Sequence, residues 1–237
     1  MIVIPGMQGR WEWMRPALRA LSARCRVISY SLGAARTFDE LVAQVDGVLD
    51  RCALQSAAIC GVSFGGLIAT KYAVARPDRT SALIVVSTPS PAWRPSAVQA
   101  RYLASPWRST PAFLVTAPGR MWPEIAAARN GWPSRLRFCA EHLARIVGAP
   151  IVPAHMAARM RLNPGAGLAA ECARVRARTL VISGSPDLDR IVPALSTREY
   201  VHLFRDARYV MMEGTGHLGL LTQPERFAGI VSEFVNG

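Results

Sequence analysis

Gly61-Val62-Ser63-Phe64-Gly65-Gly66 sets one serine between glycines, after an apolar run (Ala57 to Cys60) and before a small-residue helical run (Leu67 to Ala75). A lone G-x-S-x-G is a weak signal. Between a strand and a helix it is what a sharp strand-to-helix turn needs, because such a turn lifts a serine hydroxyl out of the sheet. A side chain at Gly61 or Gly65 would clash in the turn. The helix that follows aims its N-terminus, and the Phe64 amide, at any negative charge developing beside Ser63. The bland alternative is a glycine-rich turn with a capping serine.

A serine hydroxyl attacks a carbonyl only when a base takes its proton. The candidates are His142, His155, His202 and His217. The first two fall on helix-like segments in the middle of the chain, and His202 comes late in a helix. His217 lies in Glu213-Gly214-Thr215-Gly216-His217-Leu218, just after a strand-like run, where a loop leaving the carboxyl end of a sheet could reach Ser63. It is the expected base. The imidazole then needs a carboxylate to hold its tautomer. The loop after Thr179 to Ser183 offers Asp187 and Asp189, and either gives the chain order serine, aspartate, histidine. Pro5-Gly6-Met7-Gln8-Gly9 follows the first strand. The Met7 amide there could join the Phe64 amide in an oxyanion hole.

These residues need a sheet to hold them. Strands are expected at Ile2 to Ile4, Arg26 to Tyr30, Ser56 to Cys60, Ala82 to Ser87, Thr179 to Ser183 and Tyr209 to Met212. Helical spacing marks Trp13 to Arg24, Thr37 to Asp50, Phe64 to Ala75, Ala194 to Phe204 and Pro224 to Val235. Thr37 with Glu40 three residues on reads as a capping box. Strands alternating with such helices point to βαβ units and a parallel sheet. Residues 89–177 break the alternation. They hold many prolines, helix-like pieces of which Leu136 to Val147 is the clearest, and Trp93, Trp107, Trp122 and Trp132. They read as a helical cap inserted between two strands of a core formed by 1–88 and 178–237.

With GVSFGG, the Arg76-Pro77-Asp78-Arg79 string, Asp189-Arg190-Ile191-Val192-Pro193 and GTGHLG (214–219), the chain resembles the α/β-hydrolase family over 1–88 and 178–237. The resemblance implies an α/β fold, a mostly parallel sheet of about six strands flanked by helices, with a cap after the fourth. The family's acid commonly stands directly before an R-x-V-P type sequence, which favours Asp189. It also commonly stands three residues after the strand-ending glycine, which favours Asp187. We take Asp189, because the string into the next helix fixes the direction of approach. Two departures stand out. The family's oxyanion loop usually opens with His-Gly, and here Pro5-Gly6 stands in its place. The chain also begins at what resembles the family's third strand. It is either a minimal member or truncated at the start, with one sheet edge exposed or covered by a partner.

Composition bounds the rest. The chain has 237 residues, is 51% hydrophobic and 19% charged, and carries a net charge of +12. Lys71 is the only lysine. The arginines scatter from Arg10 to Arg226 without a run, which reads as a solvated basic surface and not a nucleic-acid site. Cys25, Cys52, Cys60, Cys139 and Cys172 form no CxxC pair and read as reduced thiols. No secretory signal and no membrane span is expected, so a cytoplasmic monomer or homodimer is. No metal or cofactor is called for. The expected function is hydrolysis of a small to medium apolar carboxylic ester through an acyl-enzyme, with Ser63, Asp189 and His217 as the triad. Trp11, Trp122 and Leu218 are the candidate substrate contacts. Lactone, thioester or carbon–carbon bond hydrolysis with the same triad, and a ligand receptor keeping the fold, are the alternatives.

Overall fold

The computed structural model describes residues 1–94, 96–162, 164 and 167–237, with the side chains of 98, 113 and 114 set aside. In chain order the core opens with β1 (Ile2–Ile4), α1 (Arg15–Ser22), β2 (Ile28–Ser29), α2 (Phe38–Arg51), β3 (Ala57–Val62), α3 (Phe64–Ala75) and β4 (Thr80–Val86). The insert follows: α4 (Ala97–Ala104), α5 (Pro106–Ala128), α6 (Gly131–Gly148), α7 (Pro153–Arg161) and α8 (Leu168–Glu171). The core resumes with β5 (Thr179–Gly184), α9 (Ala194–Arg198), α10 (Tyr200–Leu203), β6 (Ala207–Met212), α11 (Gly219–Thr222) and α12 (Pro224–Asn236).

All pairings in the six-stranded sheet are parallel, in the order β2-β1-β3-β4-β5-β6. Parallel strands carry apolar side chains on both faces because helices cover both. Ile2, Ile4, Ile59, Leu83, Val85 and Val181 enter one core with α2 and α3. Val3, Cys60, Val62, Ile84, Leu180 and Ile182 enter the other with α1 and α12. The period-two alternation therefore sorts residues between two cores, not between core and water. That is why ALIVV and TLVI read as uninterrupted apolar runs.

Two features of the sheet position a site. Every parallel strand ends at the same edge, so the loops after β1, β3, β5 and β6 all gather there. The order also reverses between β1 and β3: the chain first builds outward to β2, then returns to build the other way. In open parallel sheets such a reversal opens a crevice at the carboxyl ends of the two strands.

Several elements differ from the sequence expectation. The strand expected at Arg26 to Tyr30 shrinks to two residues. Its partner β1 has three, and only Ile28 and Ser29 find register with it. The helix expected from Trp13 to Arg24 opens as a 3₁₀ turn, Trp11–Met14, and turns α-helical only at Arg15. The helix expected over Ala194 to Phe204 divides into α9 and α10. The largest difference is α5, a 23-residue helix with Pro111, Pro118 and Pro123 inside it. Proline breaks are the usual signal for a helix end. Here Ile125 and Glu124 are held in the protein interior, and tertiary contacts outweigh the lost backbone bonds.

Candidate active site

Ser63 takes the N-cap position of α3 with φ 55° and ψ −123°. A non-glycine residue there stores strain of about 1–3 kcal/mol. Its hydroxyl makes no capping bond to the helix, so the bland reading of a capping serine does not hold. The backbone is pinned instead: Ser63 N–H donates to the Val86 carbonyl (2.8 Å) and its own carbonyl accepts from Gly66 N–H (2.9 Å). The glycines are required by approach distance. A Cβ on Gly61 would stand 2.2 Å from the Gly65 carbonyl oxygen, and one on Gly65 would stand 2.5 Å from the carbonyl oxygens of Ile4 and Pro5. The end of β1 and the start of α3 can touch only because Gly65 has no side chain.

That contact brings in the loop after β1. It turns through a Gly9 N–H bond to the Gly6 carbonyl (2.8 Å), with Gly9 at φ 70°. A Cβ on Gly6 would lie 3.3 Å from Ser63 Cβ. Gly6-Met7 and Ser63-Phe64 therefore meet at the crevice between β1 and β3.

His217 and Asp189 arrive from the loops after β6 and β5. Both are buried, and His217 Nδ1 lies 3.4 Å from Asp189 Oδ2. The other carboxylate oxygen accepts the N–H groups of Ile191 (3.1 Å) and Val192 (2.8 Å). The loops interlock through glycines: a Cβ on Gly184 would meet Gly216 Cα at 2.6 Å. Ser185 N–H donates to the Thr215 carbonyl (2.7 Å), and Gly214 N–H to Ser185 Oγ (3.0 Å). Asp187 is exposed. Of the other histidines, His155 and His202 are exposed. His142 is buried in the insert, stacked on Phe138 and edge-on to Trp13.

Residues 1–230 match the model of the Alpha/beta hydrolase family. The chain belongs to this family. Along 99% of its length the chain is 28% identical to a segment of the polyketide synthase ThaQ of Burkholderia thailandensis, and it spans only 12% of that protein. It is 25% identical to 3-oxoadipate enol-lactonase 1 of Acinetobacter baylyi, over 96% of this chain and 84% of that one. Its fold superposes on the crystal structure of the enol-lactonase from Burkholderia xenovorans LB400 with a TM-score of 0.79. That match has 21% identity and covers 100% of this chain and 90% of the other.

The remaining candidate residues lie further out. Trp11 lines a groove with Arg15, Leu18, Val27 and Ser29, on the α1 side of the sheet, with the Arg15 guanidinium 5.6 Å above its ring. Trp122 packs against Trp132, ring centres 5.4 Å apart, within the insert. Leu218 buries its side chain in the core shared with α1 and α12.

Two side chains at the site escaped the sequence reading. Arg159 of α7, 5% exposed, donates to the carbonyls of Met7 and Gln8 (3.2 Å each) and of Leu32 (2.5 Å). Burial, with Arg10 adding to it, lowers its pKa. A guanidinium thus anchors the Pro5-Gly6-Met7-Gln8-Gly9 loop after β1. Glu124 of α5, 2% exposed, accepts the Leu218 N–H at 2.8 Å, one residue from His217. A signal for Glu124 existed: it is the only acidic residue between Asp78 and Glu141. Arg159, one arginine among many, gave none.

Among the described residues no His, Cys, Asp or Glu group could hold a metal ion. Among them, too, no helix is long and apolar enough to cross a membrane.

Proposed function

We propose that this hydrolase cleaves a carboxylic ester through an acyl-enzyme, with Ser63 as nucleophile, His217 as base and Asp189 as the acid that orients it. The observation that carries this reading is the buried Asp189–His217 pair at the sheet edge where Ser63 sits in strained backbone. Ser63 Oγ attacks the carbonyl carbon while its proton passes to the ring nitrogen of His217 that faces away from Asp189. The amides of Met7 and Phe64 hold the oxyanion. Collapse expels the alcohol, which takes the proton back from His217. Water then repeats both steps on the acyl-enzyme and releases the acid. No cofactor enters.

Residues 89–177 act as a cap that closes over this edge. Trp122 and Leu218, which neighbour Glu124 and His217 in the chain, are the candidates for the substrate wall. Trp11, in the α1 groove, is a candidate for the outer entrance. Five free thiols support a reducing, cytoplasmic setting.

A second substrate class, lactones, is favoured by the likeness to a protein named 3-oxoadipate enol-lactonase. A lactone is an internal ester, and the same steps open it. The test is turnover of a p-nitrophenyl ester series, acetyl to dodecanoyl, beside aliphatic lactones, by wild type and Ser63→Ala. We expect ester or lactone turnover that falls at least ~10³-fold in the variant. Turnover equal in both proteins, or none in either, would overturn the assignment.

A further inference from the structure

We propose that Glu124 is a positioning residue for His217, a carboxylate reaching from insert helix α5 to hold the histidine loop. The inference rests on the triad reading above for what His217 does, but its geometry stands separately.

Glu124 grips the loop beside His217. Its Oε2 accepts the Leu218 N–H at 2.8 Å. Gly216, on the other side of His217, lies against the same oxygen: a Cβ there would stand 2.8 Å from it and 2.6 Å from the Leu188 carbonyl oxygen. Oε1 faces the Thr222 hydroxyl of α11 at 3.5 Å. The loop is also held from the β5 side by Ser185 and from α12 by Arg226, which donates to the Glu213 carbonyl (2.9 Å).

The choice of partners is informative. Burying a carboxylate is costly unless it is paired, and the chain has 28 basic side chains that could pair with it. Glu124 instead spends its oxygens on the histidine loop. Burial raises its pKa, and the loop N–H groups and His217 oppose that rise, while Asp189 adds to it. The titratable and charged groups around the loop are His217 and Glu213 on the loop itself, Asp189 from the β5 loop, Glu124 from α5 and Arg226 from α12. Arg129 lies further along α5 and donates to the Leu221 carbonyl (3.4 Å).

This makes the insert part of the catalytic machinery as well as a cover. A helix that shifts away from the core would carry the histidine loop with it.

Three measurements on wild type, Glu124→Gln and Glu124→Ala test the proposal. In NMR spectra at a single pH, with His217 assigned by comparison with His217→Gln, the His217 ring signals should shift in Glu124→Ala and stay near their wild-type positions in Glu124→Gln. That follows because glutamine keeps an acceptor for the Leu218 N–H and alanine does not. Unmoved signals in Glu124→Ala would overturn the proposal. This readout needs no substrate, so it stands whether or not ester turnover is found. In turnover, Glu124→Ala should lose about 10- to 100-fold in kcat with KM within about a factor of two, because a displaced base costs rate and not affinity. Glu124→Gln keeps an acceptor for Leu218 N–H and should recover most of it. Thermal unfolding of each variant separates the readings. A lower Tm with unchanged kcat in Glu124→Ala would make Glu124 merely structural and sink the positioning role, while leaving the Ser63 assignment intact.

Discussion

The Asp189 carboxylate divides its two oxygens between a ring and a backbone: Oδ2 stands 3.4 Å from His217 Nδ1, and Oδ1 holds the Ile191 and Val192 N–H groups. The backbone bonds fix the carboxylate's plane before the histidine arrives. They exist because Asp189 immediately precedes the turn into Pro193 and α9. Asp187, two residues earlier on the outside of the same loop, is exposed.

The two aspartates should therefore separate cleanly by mutation. Asp189→Asn should lower kcat on the order of 10³–10⁴-fold, by leaving the imidazole in the wrong tautomer. Asp187→Asn should leave kcat within about twofold. Steady-state turnover of a p-nitrophenyl ester by both variants decides it, and a larger loss in Asp187→Asn would reverse the assignment.

Ser63 holds backbone torsions that glycine adopts freely, φ 55° and ψ −123°. Ser63→Gly should abolish turnover and raise stability by about 1–3 kcal/mol, the strain released. Ser63→Ala, which keeps the Cβ, should abolish turnover without that gain. Urea unfolding of the three proteins measures the difference. Equal stability of the glycine and alanine variants would mean that the turn stores no strain.

Burial lowers the His142 pKa from 6.5 to about 4, and Arg145 adds to the shift. The unfolded chain takes up a proton on this ring near pH 6.5, and the folded chain refuses it until about pH 4. Above the unfolded value the ring contributes nothing. As pH falls from about 6.5 to about 4 it costs stability, on the order of 3 kcal/mol in full. Denaturation at intervals from pH 7.5 to about 4.5 should show a loss in wild type that is smaller in His142→Phe. Parallel losses in the two proteins would remove His142 from the account.

Two glycine-to-alanine changes in helices should have opposite signs. At Gly65 the new Cβ would meet two backbone oxygens of the β1 end at 2.5 Å, so backbone must move. Gly65→Ala should lose about 1–3 kcal/mol and most turnover, since the Phe64 amide moves with it. In α12, nothing lies within 4 Å of a Cβ on Gly229. Gly229→Ala should gain about 0.5–1 kcal/mol from helix propensity with turnover unchanged. Melting curves and one activity assay check both.

Much of this architecture is local and so was legible in the residue order. Apolar runs such as ALIVV and TLVIS commit to strands because both faces of a covered parallel sheet are dry. The G-x-S-x-G turn carries its geometry in its own glycines. His217 and the Asp187/Asp189 loop were marked by their places after strands. What the order could not show depends on which elements pack together. The helix α5 runs through three prolines, against every local signal, because its far end is held in the interior around Glu124. The string into the next helix already favoured Asp189 over Asp187 in the sequence, whereas the burial of Asp189 and its bonds to Ile191 and Val192 belong to the tertiary structure. Arg159 and Glu124 reach the loops after β1 and β6 from sequence distances of about 150 and 90 residues. Such contacts depend on the packing of the insert against the sheet edge, and no spacing along the chain encodes them. The sequence by itself marked most of the strands, the G-x-S-x-G turn and the candidate groups around it. The tertiary structure decided which charged side chains hold those groups in place, because only packing brings a buried charge to its distant partner.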